Sequence, residues 1–190
     1  MRVGRRGGEE DDGPIAGADG GYTTDGALQG TLPAATMPST QQNFEGLNNE
    51  DNFHIFGGRV NPPDPNGEVG PNNYIEMVNL TFAVYDKSGN RLLGPVDTGT
   101  LWDNFAVPDC TDPSGDPVVL YDQFMDRWIM SQFTTSGMNP DGSFNGLPFY
   151  NCVAVSQTSD PTGAYYRYAF ITSQAGSTST FFPDYPKYGN

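Results

Sequence analysis

The chain is 190 residues long and carries a formal net charge of −14, with 23 Asp and Glu against nine Lys and Arg. A surface of that sign cannot neutralise phosphates, which argues against nucleic acid and anionic membrane as partners. No apolar run approaches the roughly 18 residues that a spanning helix needs, so membrane insertion is not expected.

Residues 1–43 are rich in Gly, Asp, Glu, Thr and Pro, with the acidic run Glu9–Asp12 and no apolar period. Such a segment buries too little to offset its ordering entropy, and it is predicted to be disordered. Arg2, Arg5 and Arg6 are not followed by an apolar stretch, so no signal peptide is expected within these residues. The first apolar anchors are Phe44–Leu47 and Ile55–Phe56. From Asn61 to Asn73 turn formers dominate, and a turn is predicted. Within it Asp64, Asn66 and Glu68 alternate around Gly67, a loose calcium-loop candidate that makes calcium the one cofactor candidate. The glutamate that closes such loops is missing.

Tyr74–Val78, Leu80–Tyr85 and Arg91–Leu93 read as strands around a turn at Asp86–Asn90, a short meander. Asn79-Leu80-Thr81 matches the glycosylation sequon; lying between two strands, it is predicted to be unoccupied. Thr100–Asp109 carries Leu101, Trp102 and Phe105, a connector that tucks aromatic groups under the sheet.

The clearest pattern follows. Val118–Tyr121 is a nearly continuous apolar run, as expected of a strand covered on both faces. A short connector leads to Trp128–Phe133, whose alternation gives two unlike faces. After the 16-residue loop Thr134–Phe149, two further strands are predicted at Asn151–Ser156 and Tyr165–Ile171. Four strands in sequence with no helical period make one antiparallel meander, the size and order of a propeller blade. The expected fold is all-β: a partial β-propeller of about two four-stranded blades, at residues 74–109 and 110–171, with a further blade starting at 181–190.

Cys110 and Cys152 each lie just outside a strand. Bridged, they would close a loop of roughly 40 residues and stabilise by about 3 to 4 kcal/mol; the other reading is two reduced thiols. His54 is the only histidine and no CxxC spacing occurs, which disfavours zinc and any Ser-His-Asp arrangement.

Several phrases together resemble a known family. They are Phe44-Glu45-Gly46-Leu47, Pro62-Pro63-Asp64 through Gly70-Pro71-Asn72-Asn73-Tyr74, Gly115-Asp116-Pro117-Val118-Val119 through Asp126-Arg127-Trp128, Asp160-Pro161-Thr162-Gly163, and Pro183-Asp184-Tyr185-Pro186. They resemble large secreted bacterial β-propeller-like proteins, distantly similar to sialidase-like propellers, a family without an assigned activity. The resemblance covers residues 44–190. It implies a secreted or cell-surface location and a chain that continues past Asn190, the remaining blades then being partners of these.

Propellers gather ligands where their inner strands start. Asp116 heads the first strand of the clear blade and Asp184 the next, so Asp116, Asp184 and Glu76 are the candidate catalytic carboxylates. A glycosidase needs two carboxyls with different proton affinities. Arg127, Trp128 and Tyr185 join Asp116 and Asp184 as candidate ligand contacts. With no spacing that forces a catalytic pair together, the expected function is a non-catalytic extracellular module that binds glycan or protein. Alternatives are a glycoside hydrolase and a structural surface-layer component. Fold alone does not choose among them.

Overall fold

The computed structural model describes residues 38–172 and 182–188. The disorder expected for the N-terminal segment falls almost wholly on residues 1–37, outside the described residues. A compact unit begins at Gln42 and contains every element named below.

Eight strands form two four-stranded antiparallel sheets, each a meander in chain order. The first contains β1 (Asn66–Val69), β2 (Asn73–Val78), β3 (Thr81–Asp86) and β4 (Arg91–Asp97). The second contains β5 (Val118–Asp122), β6 (Arg127–Phe133), β7 (Tyr150–Ser156) and β8 (Tyr165–Ile171). The four strands expected between residues 118 and 171 are therefore present, in one sheet and in sequential order.

In the first sheet the structure corrects two expectations. The stretch read as a turn contains β1, so this meander starts eight residues earlier than Tyr74 and its fourth strand lies ahead of the three located in the sequence. Its glycines, which signal turns, serve close approach instead: a Cβ on Gly70 would lie 2.6 Å from the Trp128 ring. Asn66 adds a bond between the sheets, its Oδ1 accepting from the Val119 N–H at 2.7 Å. The second correction is a helix, α1 (Asn49–Phe56), in a segment where none was predicted. Asn48 caps it, with Asp51 accepting from the Asn48 N–H and Asn48 accepting from the Glu50 N–H, and Gly57 ends it in the left-handed conformation (φ 71°). Its buried Asn52 then ties the helix to the β2–β3 turn. Oδ1 accepts from the Leu80 N–H at 2.9 Å, and Nδ2 donates to the Asn79 carbonyl.

The sheets meet face to face. Ile75, Met77, Phe82 and Val84 of the first interleave with Val119, Trp128 and Met130 of the second. Each of these side chains contributes about 1.5 to 3 kcal/mol by leaving water. On its other face the first sheet buries Leu47, Val78, Ala83 and Tyr85. Below the second sheet, Trp102 packs on Cys110, Cys152 and Ala154, and the two cysteines form a disulfide with Cα atoms 5.7 Å apart. The connector aromatics are thus tucked as expected. A buried polar chain fixes the connector to β6: the Thr98 hydroxyl donates to Gln132 Oε1 (2.6 Å), whose Nε2 donates to the Cys110 carbonyl (2.8 Å).

Among the described residues no helix is long and apolar enough to cross a membrane. The sequon asparagine is buried, its amide nitrogen spent on the Pro62 carbonyl and Asp64 Oδ2, which leaves no acceptor for a glycan.

Candidate functional site

Three residues that precede a proline share one backbone conformation. Asp64 (before Pro65), Asp116 (before Pro117) and Tyr185 (before Pro186) have φ of 36°, 35° and 48°. A residue before proline ordinarily prefers extended backbone, and a side chain at positive φ is strained by about 1 to 3 kcal/mol. Asp64 leads into β1 and Asp116 into β5, the first strand of each sheet, so the same strained lead-in recurs at both. Tyr185 repeats it in the segment 182–188.

These lead-ins converge. The Tyr185 N–H donates to Asp116 Oδ2 at 2.9 Å, and the Tyr185 hydroxyl donates to Asp64 Oδ1 at 2.6 Å. Asp64 Oδ2 accepts from Asn79 Nδ2 at 2.7 Å. A cavity of about 270 Å³ opens there, lined by Asp64, Asn66, Asp116, Tyr185 and Lys187 among others. The Lys187 ammonium lies 5.4 Å over the Tyr185 ring.

Burial, and after it the hydrogen bond shared with Asp184, raises the Asp116 carboxyl to about 6. The Tyr185 N–H opposes the rise, while the charges of Asp184 and Asp64 add to it. With its proton affinity raised, Asp116 can donate the hydrogen bond that joins it to Asp184.

The structure brings together Asp64, Asn66, Asp116, Asp184 and Tyr185, and places the other candidates elsewhere. Glu76 accepts from the Leu47 N–H at 2.8 Å on the far side of the first sheet, under the chain at Gly46. Burial there raises its carboxyl above the ordinary range. Trp128 is a core residue, 1% exposed, with its indole N–H on the Ser159 carbonyl. Arg127 closes the β5–β6 hairpin by donating to the Met125 and Asp126 carbonyls. Asp122 receives the Phe124 and Met125 N–H groups, and Asp126 the Tyr121 hydroxyl.

The calcium-loop candidates do not form a loop. Asn66 is committed to Val119, Glu68 accepts from its neighbour Val69, and Asp64 is bonded by Asn79 and Tyr185. Among the described residues no group of three or more His, Cys, Asp or Glu side chains could hold a metal ion. Sequence reading placed Asp64 only in that loop and missed its partnership with Asp116. The repeated residue-before-proline pattern at 64–65, 116–117 and 185–186 was the signal available.

No protein-family model, curated protein or solved structure matches the chain.

Proposed function

We propose that this chain is part of an extracellular β-propeller that binds a ligand, without turnover, where its strands start. Asp64, Asp116, Asp184 and Tyr185 make the contacts. One observation carries the reading: three chain segments far apart in sequence repeat the same strained lead-in and converge on one polar cavity. Strain held at a point that no core packing requires is a mark of function. The cavity offers paired carboxyls, a phenol face and an ammonium group, a set suited to the hydroxyls of a glycan. The face-to-face packing of two sequential meanders supports the propeller reading, and the Cys110–Cys152 disulfide is compatible with an oxidising compartment. The outer face of the second sheet carries apolar rows such as Leu120, Ile129, Val155 and Tyr166, which suits a further blade.

The experiment is a glycan array probed with the labelled chain, followed by titration of the strongest hit. Asp116→Asn and Tyr185→Phe are expected to weaken that hit at least about tenfold, the loss of one or two charge-assisted bonds. A hit insensitive to both substitutions, or no hit at all, removes the reading.

A glycoside hydrolase is the second reading, favoured by the Asp116 proton held to about pH 6. Its difficulty is geometric. Glycosidase carboxyls stand roughly 5 Å apart or more so that a sugar fits between them, whereas Asp116 and Asp184 are hydrogen-bonded to each other. Release of nitrophenol from aryl glycosides, abolished by Asp116→Asn, would establish it in place of the binding reading.

A further inference from the structure

Away from the lead-in cavity, a second pocket lies between the outer strands of the two sheets. β1 and β5 pack together, while β4 and β8 stand apart around a groove of about 500 Å³. Its floor is Phe82, a core residue, and its walls are Leu93 and Val96 of β4, Leu101 of the following 3-10 turn, and Pro161 and Tyr165 around the start of β8. Pockets of this size and apolar character accept small molecules, with a few polar groups fixing orientation.

One charged group stands in this lining. Arg167, on β8, donates through Nη1 to the Asp103 carbonyl at 2.6 Å and rests 5.6 Å over the Phe105 ring. Both contacts hold the guanidinium in place and neither cancels its charge. Among the described residues its only hydrogen bond goes to a carbonyl and no ion pair involves it, in a chain with 23 acids and nine bases. A fixed guanidinium presents several N–H donors in one plane, a geometry that matches a carboxylate. The Gln157 side chain is a further polar group on the lining.

We propose that this groove binds a small apolar carboxylic acid, with an aromatic or branched body against Phe82, Leu93, Val96 and Leu101 and its carboxylate on Arg167. The site is separate from the acidic cavity at the lead-ins. The carboxylates of that cavity disfavour the anionic ligand that Arg167 attracts.

The probes are naphthalene-2-carboxylate and its neutral amide, naphthalene-2-carboxamide, titrated into the full chain by calorimetry and ligand-observed NMR. The acid is expected to bind about tenfold more tightly than the amide, the worth of one charge-assisted contact. Arg167→Gln should erase that difference, while Asp116→Asn in the other cavity should leave it in place. Cross-relaxation from the naphthalene protons to the Leu101 and Val96 methyls is expected in the unsubstituted chain, so the placement is tested even where Arg167→Gln fails to fold. Equal affinity for acid and amide, a preference that survives Arg167→Gln, or no cross-relaxation to those methyls would each overturn the proposal. Tighter binding of an acetylated Phe-Leu-Asp tripeptide than of naphthalene-2-carboxylate would also overturn it, in favour of a peptide site.

Discussion

The two sheets share one topology and differ in what covers their faces. The first is clad on both sides: the second sheet lies on one face, and the strap Phe44–Leu47 on the other. There Phe44 packs against Tyr74 and Tyr85, and Leu47 is buried. Its strand β3 is accordingly buried from Thr81 to Tyr85. The second sheet is clad on the inner face and, on the outer, along the line where Phe182 meets Phe133 and Phe149. Its last strand leaves Tyr166, Tyr168 and Phe170 about half exposed. A disulfide ties this sheet to its connector, where the first sheet relies on the strap and α1. Two sheets of equal size thus reach order by different means, one by packing on both faces and one by a covalent tie.

The largest test of this contrast concerns the layer the sheets have in common. Trp128→Ala is expected to cost about 3 to 5 kcal/mol, measured by chemical denaturation, and to lower both sheets in a single transition. Two separate transitions would show that the sheets do not depend on each other. Next is the covalent tie: reduction, or Cys110→Ser with Cys152→Ser, should remove about 3 to 4 kcal/mol. Hydrogen exchange should then quicken in β7 and β8 before β2 and β3. Leu47→Ala should cost about 2 kcal/mol and quicken exchange in β2 and β3 instead.

The smallest expected effect comes from acid. The folded state holds the Asp116 proton up to about pH 6, well above the ordinary value of 3.8, so it binds more protons than the unfolded chain between those values. Stability from this group is therefore complete below about pH 4 and is lost as pH rises through 6, by about 1 kcal/mol because water still reaches the cavity. Unfolding curves at pH 5 and pH 8 should differ by about half that amount, and Asp116→Asn should flatten the difference.

How much of this was legible in the sequence divides along the same line. The second sheet announces itself because Val118–Tyr121, Trp128–Phe133 and Tyr165–Ile171 are dense in β-branched and aromatic residues, and local preference agrees with the final pairing. β1 is Asn-Gly-Glu-Val, whose composition signals a turn. It is extended because it pairs with β2 and because Asn66 holds β5, neither of which is local. The helix was legible in principle, from Asn48 before it, Asp51 in its first turn and Gly57 after it, yet only Phe53, Ile55 and Phe56 within it are large and apolar and no amphipathic stripe draws the eye. At the cavity, Asp116 could be named from its position before β5; Asp184 was named as the head of an expected further strand, and among the described residues no strand follows it. Their hydrogen bond, and the role of Asp64, depend on the fold.

Tyr185 stands 69 residues after Asp116 and 121 after Asp64, and it is the group that joins them. During synthesis both sheets can therefore leave the ribosome and pair before the cavity exists. Its assembly waits on the segment around Tyr185, so the cavity is completed only after the sheets that carry its two aspartates.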